Sequence, residues 1–211
     1  AFWLWANTTG GIGGYSVAII DGKDTGYSPA KHLEGYNAIR DEVAALAMSL
    51  GTVQTLFIMD EMDKDNMVAA PMSWYSGWGY KSFDRGLVAE FGSAYCVDGM
   101  NALDWGLENL PKEINTVGII AYAGEYGDDY AAGVRKAAIA NGVTVAWSYV
   151  PPVAEFDVAA ALGLMLTQPV DAVFSGAPLS AGPQIIGGYY QQTGALPFIF
   201  NAAPAYNDAF I

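Results

Sequence analysis

Two residues in this chain belong to types that do covalent or acid-base chemistry and occur once each, His32 and Cys96. A thiolate nucleophile needs a base beside it. No histidine stands near Cys96 in the sequence, so a dyad of the two would rest wholly on tertiary contact. A packed thiol and a surface imidazole is the plainer account. The run TGGIGG from Thr9 supplies glycines of the sort that let backbone amides approach a pyrophosphate. That fingerprint must follow a strand and open a helix, yet the residues after Gly14 are β-rich, which suits a flexible turn better. An NAD-linked oxidoreductase on the Gly10 and Gly14 loop is the alternative from the enzyme class, and it requires a helix directly after Gly14. Tyr27 and Lys31 mimic the Tyr-x-x-x-Lys dyad of short-chain dehydrogenases. That dyad belongs far downstream on a long helix. Asp60, Glu61, Asp63 and Asp65 are acidic enough to draw a hard cation. They lack the sixth-position glycine and distal glutamate of a calcium loop, so a solvated helix end is expected. No metal-ligand spacing, nucleophile elbow or phosphate loop appears. The expectation is no enzyme, no cofactor and no catalytic or metal-binding residue.

A second group of residues suits holding a ligand without transforming it. Ser49 and Thr52, Ser73 and Trp74, Gly124 to Tyr126, Ser175 to Pro178, and Asn201 to Pro204 all fall where predicted strands end. Open α/β sheets bind ligands at those ends. Hydroxyls, free backbone amides and aromatic walls can grip a small polar solute there. Hydroxyls at these positions also serve simply to cap helices.

The elements that would position them come from periodicity. Residues 116–121, TVGIIA, form a short apolar run fit for a strand buried on both faces. Over 127–141 the residues Tyr130, Val134, Ala137 and Ala138 fall at helical spacing, and Asn141 with Gly142 supplies a stop. The unit repeats with strands at 143–149, 170–175 and 197–201 and helices at 156–166 and 181–192. In the first half, strands are expected at 15–20, 43–48 and 68–72. Helices are expected from Pro29, capped by Ser28, and at 52–63 and 95–110. Strand 43–48 is Ala-rich and also reads as a continuation of the preceding helix. Strand-helix alternation over connections this long requires parallel pairing. The fold class is therefore α/β with doubly wound, mostly parallel sheets. The polar stretch 112–115 after Pro111 is the expected crossing between an N-terminal lobe, 1–112, and a C-terminal lobe, 113–211.

Composition agrees. The 211 residues are 53% hydrophobic with 13 Tyr and 25 Gly, a chain that folds. A net charge of −13 repels nucleic acid and anionic membrane surfaces. No stretch reaches the roughly 18 apolar residues of a spanning helix, so no membrane insertion is expected.

The run TVGIIAYAGEYGDDYAAG from Thr116, leading to Asn141, Gly142 and Val143, resembles the second-lobe opening of the type I periplasmic solute-binding proteins. The group in question is the branched-chain amino acid and amide binders of ABC importers. WANTTGGIGGY from Trp5 is similar to the end of that family's first helix and the loop into its second strand. Asp21 and the run from Tyr27 to Pro29 are similar to the family's segment after that strand. The resemblance implies two lobes that clasp a ligand, an extracytoplasmic location and a membrane permease as partner. It also implies a chain incomplete at both ends. Carried over by position, it places Ser49, Thr52, Ser73 and Trp74 at the ligand from one lobe and Tyr126 from the other, with Pro178 and Tyr206 at the cleft walls. Amino-acid binders of the family carry an acid for the ligand ammonium where this chain has only Asn201 to Tyr206, with Asp208 displaced. The ligand expected is a small polar or amphipathic metabolite, amino-acid-like or an amide, bound for transport or for sensing.

Overall fold

The computed structural model describes residues 2–20 and 22–206. In chain order the elements are α1 (Phe2–Thr8), α2 (Pro29–Ile39), β1 (Ala45–Leu50), α3 (Thr52–Phe57), α4 (Met59–Asp65) and β2 (Val68–Met72). There follow α5 (Lys81–Asp84), α6 (Tyr95–Asn109), β3 (Thr116–Ala121), α7 (Glu125–Asn141), β4 (Thr144–Tyr149), α8 (Val158–Thr167), β5 (Ala172–Gly176), α9 (Ala181–Thr193) and β6 (Phe198–Asn201).

The chain forms an α/β fold with two parallel sheets, one of β1 and β2 and one in the order β4-β3-β5-β6. The central strands β3 and β5 are buried almost throughout, as their uninterrupted apolar runs require. Alternation along them divides two cores. Val117, Ile119, Ala172 and Phe174 face α6 and α7, while Ile120 and Val173 face α8 and α9. Gly118 makes room for the Trp147 indole, since a Cβ there would stand 2.1 Å from the ring. Trp147 in turn donates to the Gln168 carbonyl at 2.8 Å.

Helices α6 and α7 approach backbone to backbone. A Cβ on Gly133 would lie 1.9 Å from the Cys96 carbonyl oxygen, and one on Gly99 would lie 2.6 Å from that of Tyr130. The expected crossing at 112–115 left α6 in the first lobe, but Tyr95 and Leu103 belong to the core of the second sheet.

The smaller sheet packs Ala69 against Tyr36, Ile58, Met62 and Met67. The helix expected over 52–63 is two helices, broken at Ile58, whose side chain is fully buried. The bend turns α4 so that Ile58 and Met62 enter the same core. Beside β2, residues 87–89 run parallel, with Ala69 N–H donating to the Leu87 carbonyl and Ala89 N–H to that of Ala69.

One expected element does not form. Residues 15–20 are extended but join no sheet among the described residues. β-rich composition makes a strand only where a neighbouring backbone completes the ladder. Here Tyr15 makes only an isolated bridge with Ile12, and the Asn7 carboxamide accepts from Val17 N–H at 2.7 Å and donates to the Val17 carbonyl at 2.8 Å. The glycine loop before it follows a helix and opens none, so it lacks the geometry of a dinucleotide-binding turn. Asp21 and Asp208 lie outside the described residues.

Candidate functional site

Both sheets direct their carboxyl ends toward a shared cluster of hydroxyls and aromatic rings. The first sheet ends in Ser49 and Thr52, and in Ser73 and Trp74. The bounds of β1 place Ser49 within the strand rather than in the loop after it. Its hydroxyl is buried between His32 Nε2 and Thr55 Oγ1, each at 2.9 Å. His32 therefore braces a strand end, and burial holds its imidazole below the usual range. Nothing local in sequence signals this pair, which joins α2 to β1. Thr52 Oγ1 and Ser73 Oγ meet at 2.6 Å, and Trp78 Nε1 donates to Ser73 at 3.1 Å. Gly51, at φ +99, makes the turn between Ser49 and Thr52, a conformation that favours glycine.

Tyr95, the first residue of α6, links the two halves. Its phenol reaches the Ser73 and Thr52 hydroxyls and the Trp74 backbone, and burial pushes it above the usual range against those interactions. Its ring meets Trp74 edge-on at 6.1 Å between centroids and Tyr126 at 4.7 Å. Tyr122 packs on Tyr126 at 5.2 Å and interacts with Tyr27, a residue held at φ +56. The structure thus gathers Thr52, Ser73, Trp74 and Tyr126 around Tyr95. Ser49 lies one layer behind them. Sequence reasoning missed Tyr95, Tyr122 and Tyr27 as parts of the constellation; only their aromatic type was a signal.

Three buried side-chain atoms have no hydrogen-bond partner among the described residues: Gln54 Oε1, Tyr126 OH and Asn201 Oδ1. Buried polar groups are ordinarily paired. Two of these stand at the carboxyl end of the second sheet. A Cβ on Gly176, the last residue of β5, would lie 3.2 Å from Tyr126 OH, and Asn201 pairs in register with Ser175. Pro178 follows β5, its carbonyl accepting from Ala181 and Gly182 N–H at the start of α9. Tyr206 follows a short 3-10 turn after β6, half exposed, with its N–H on the Ala202 carbonyl.

The other chemistry-bearing motifs resolve differently. Cys96 is buried and takes a 3.6 Å contact from Lys136 Nζ, while His32 is engaged with Ser49, so the two do not form a dyad. The acidic cluster on α4 is matched by cations: Arg40 pairs with Glu61 and Asp65, Lys64 with Glu61, and Arg85 with Asp60 and Asp63. No group of His, Cys, Asp and Glu side chains suited to a metal ion occurs among the described residues. No helix among them is long and apolar enough to cross a membrane. A groove of about 400 Å³ runs between Tyr75 and the start of α7, lined by Gly124, Glu125, Asp128 and Asp129. Ser76 N–H donates to Asp129 there at 2.9 Å, tying the loop after β2 to α7. A larger groove, about 590 Å³, lies between α6 and α7 away from the tyrosines.

The fold is shared with solved structures. The chain superposes with a TM-score of 0.81 and 22% identity on a fatty acid ABC transporter substrate-binding protein from Thermomonospora curvata, covering 98% of this chain and 51% of that one. A solute binding protein of an ABC transporter from Rhodopseudomonas palustris BisB5, in complex with 3,4-dihydroxybenzoic acid, matches at 0.76 and 18% identity over 95% of this chain and 54% of its own. An ABC transporter substrate-binding protein from Desulfitobacterium hafniense in complex with Leu matches at 0.74 and 14% identity over 99% and 61%. The chain spans between about half and three fifths of the length of these structures. No curated protein sequence matches it. The model of the periplasmic binding protein family matches residues 4–211, and the chain belongs to that family.

Proposed function

We propose that this chain forms the ligand-clasping part of the solute-binding component of an ABC importer, taking up a small polar or amphipathic metabolite, amino-acid-like or an amide. The observation that carries the reading is the meeting of Thr52 and Ser73, from the ends of one sheet, with Tyr126, from the end of the other, around Tyr95. Hydroxyl donors and acceptors on one side and a phenol without a protein partner on the other suit a solute gripped from both sides. Trp74 forms an aromatic wall, and Ser49 stiffens the floor under Thr52. Pro178 and Tyr206 border the second side. Structural neighbours crystallised with dihydroxybenzoate and with Leu support a small-molecule ligand of this size. The partner is a membrane permease, and the location is extracytoplasmic, as the family implies.

The lobes in this reading divide ahead of α6, within 89–94, because α6 packs on the second sheet. Closure would then bring Trp74 and Tyr126 toward one another.

The test is a thermal-shift and calorimetric panel of amino acids, amides, urea and aromatic acids on the complete protein. A true ligand at a hundred times its Kd stabilises the fold by about 2.7 kcal/mol, a clear rise in Tm. Absence of heat and of any shift across the whole panel would sink the reading.

A further inference from the structure

Ser73 and Trp74 belong to a larger stiff body that continues past the end of β2. The Tyr75 carbonyl accepts the Trp78 N–H at 2.9 Å, and a 3-10 turn (Ser76–Gly79) follows. The Tyr75 ring lies in the space over Gly77, where a Cβ would collide with it, and meets the rings of Trp78 and Phe83 edge-on at 5.8 Å each. Trp78 Nε1 returns to the Ser73 hydroxyl at 3.1 Å. With Ser73 and Trp78 both buried, residues 73–78 move as one block.

This block is fastened to α6 and to α7. Tyr95 N–H, at the start of α6, donates to the Trp74 carbonyl at 2.7 Å, and Ser76 N–H donates to Asp129 Oδ2 on α7 at 2.9 Å. A body held at one point turns about it, and a second point stops the turn. The Tyr95 bond joins backbone to backbone, so no side chain controls it. Asp129 is the adjustable one, and the groove of about 400 Å³ between Tyr75 and the start of α7 leaves room for the block to turn. Asp129 stands three residues after Tyr126, next to it on the helix surface. Capping does not explain it, because Asp128 already accepts the Gly124 N–H at 2.9 Å. Nor does ion pairing: no cation bridges to Asp129 among the described residues, Glu125 lies one turn before it, and its charge helps burial to push the Tyr75 phenol and the Glu90 carboxyl above their usual ranges. A carboxylate kept among like charges has its compensation in the Ser76 N–H.

We propose that Asp129 is a positioning residue for solute binding: by holding the Ser76 N–H it locks the 73–78 block against α7, and so fixes the gap between Trp74 and Tyr126 and the size of solute that fits there. This inference rests on the solute-binding reading. Asp129 itself touches no solute.

The alternative is an Asp129 that acts only through its charge on the first turns of α7. Asp129→Asn and Asp129→Ala separate the two roles. Both remove the charge, but the carboxamide oxygen still accepts from Ser76, and alanine keeps the helix. The first measurement, on the complete protein without ligand, is hydrogen exchange of the Ser76 amide. Wild type and Asp129→Asn should protect it alike, and Asp129→Ala should exchange about 10-fold faster or more, with β3 and β5 amides unchanged. The second is calorimetry and stopped-flow release with leucine, phenylalanine and 3,4-dihydroxybenzoic acid. For a solute that binds wild type, Asp129→Ala should lose about 10-fold in affinity, mainly through faster release, and Asp129→Asn should restore it. The proposal is overturned, with solute binding left standing, if Ser76 exchanges equally in all three proteins, if Asp129→Ala binds as tightly as wild type, or if the Asn and Ala variants fall together. If none of the three solutes binds wild type, the role in binding falls with the solute-binding reading for these ligand classes, and the exchange result alone decides whether Asp129 locks the block.

Discussion

The two ends of the four-stranded sheet each hold an aspartate, and the two are treated in opposite ways. At the amino end Asp171, just before β5, is saturated. It accepts from the N–H groups of Asn115 and Thr116 at 3.1 and 3.0 Å and from the Thr116 hydroxyl at 2.9 Å, with Lys112 Nζ at 3.3 Å. Burial alone would raise its carboxyl, but these donors together hold it below the usual range. At the carboxyl end Asp98 has, among the described residues, one long hydrogen bond and no cation, and burial pushes it above that range. Tyr126 OH and Asn201 Oδ1 stand unsatisfied at the same end. The difference separates a fastened end from one whose polar groups lack protein partners among the described residues. One end spends its polar groups on joining β3 to β5, and the other withholds them from the protein and so has them free for something else.

The comparison can be broken most forcefully at Gly127. A Cβ there would lie 1.8 Å from the Tyr122 carbonyl oxygen, so Gly127→Ala has to reopen the first turn of α7. Loss of about 3 kcal/mol or more in urea unfolding is expected, with ligand binding lost as Tyr126 moves. A fully stable Gly127→Ala would mean that the carboxyl end is looser than its packing suggests.

A smaller effect is expected at the saturated end. Asp171→Asn should cost about 1–3 kcal/mol at neutral pH, since it removes charge-assisted bonds and turns one acceptor into a donor facing donors. The folded carboxyl is depressed, so its stabilisation is present above the unfolded carboxylate range and is lost as pH falls through the folded value. Wild type and variant should therefore converge in acid. Urea midpoints across pH would show it, and a constant gap would refute the electrostatic account.

The smallest change belongs to Tyr126→Phe. The lost hydroxyl has no partner among the described residues, so stability without ligand should hold within about 1 kcal/mol or improve. A large destabilisation would show that the phenol fastens the fold after all.

How much of this was legible beforehand depends on range. β2 and β3 formed over the same residues that their apolar runs indicate, and the Ser28 cap with Pro29 marked the start of α2. These are local signals. The segment 15–20 misled because pairing depends on a backbone elsewhere, and the break at Ile58 because it answers to a core assembled from α2, α4 and β2. The packing of α6 was not legible for a similar reason: its contact with α7 runs through two glycines whose partners lie far off in sequence. Thr52, Ser73, Trp74 and Tyr126 were named from strand ends, where the fold dictates position. Asp98 was not, because it lies on a helix face and meets Ala203 only in three dimensions.

The missing side chains of Gly99 and Gly133 have a mechanical meaning. Because α6 and α7 touch through their backbones, neither helix can slide or rotate against the other without collision, and so they behave as one beam. Tyr95 and Asp98 ride on one half of that beam and Tyr126 on the other. Their mutual spacing is therefore a fixed gauge, unchanged whether the two sheets stand apart or together. In the proposed reading, a solute between the sheets would be measured against a jaw already set before it arrived.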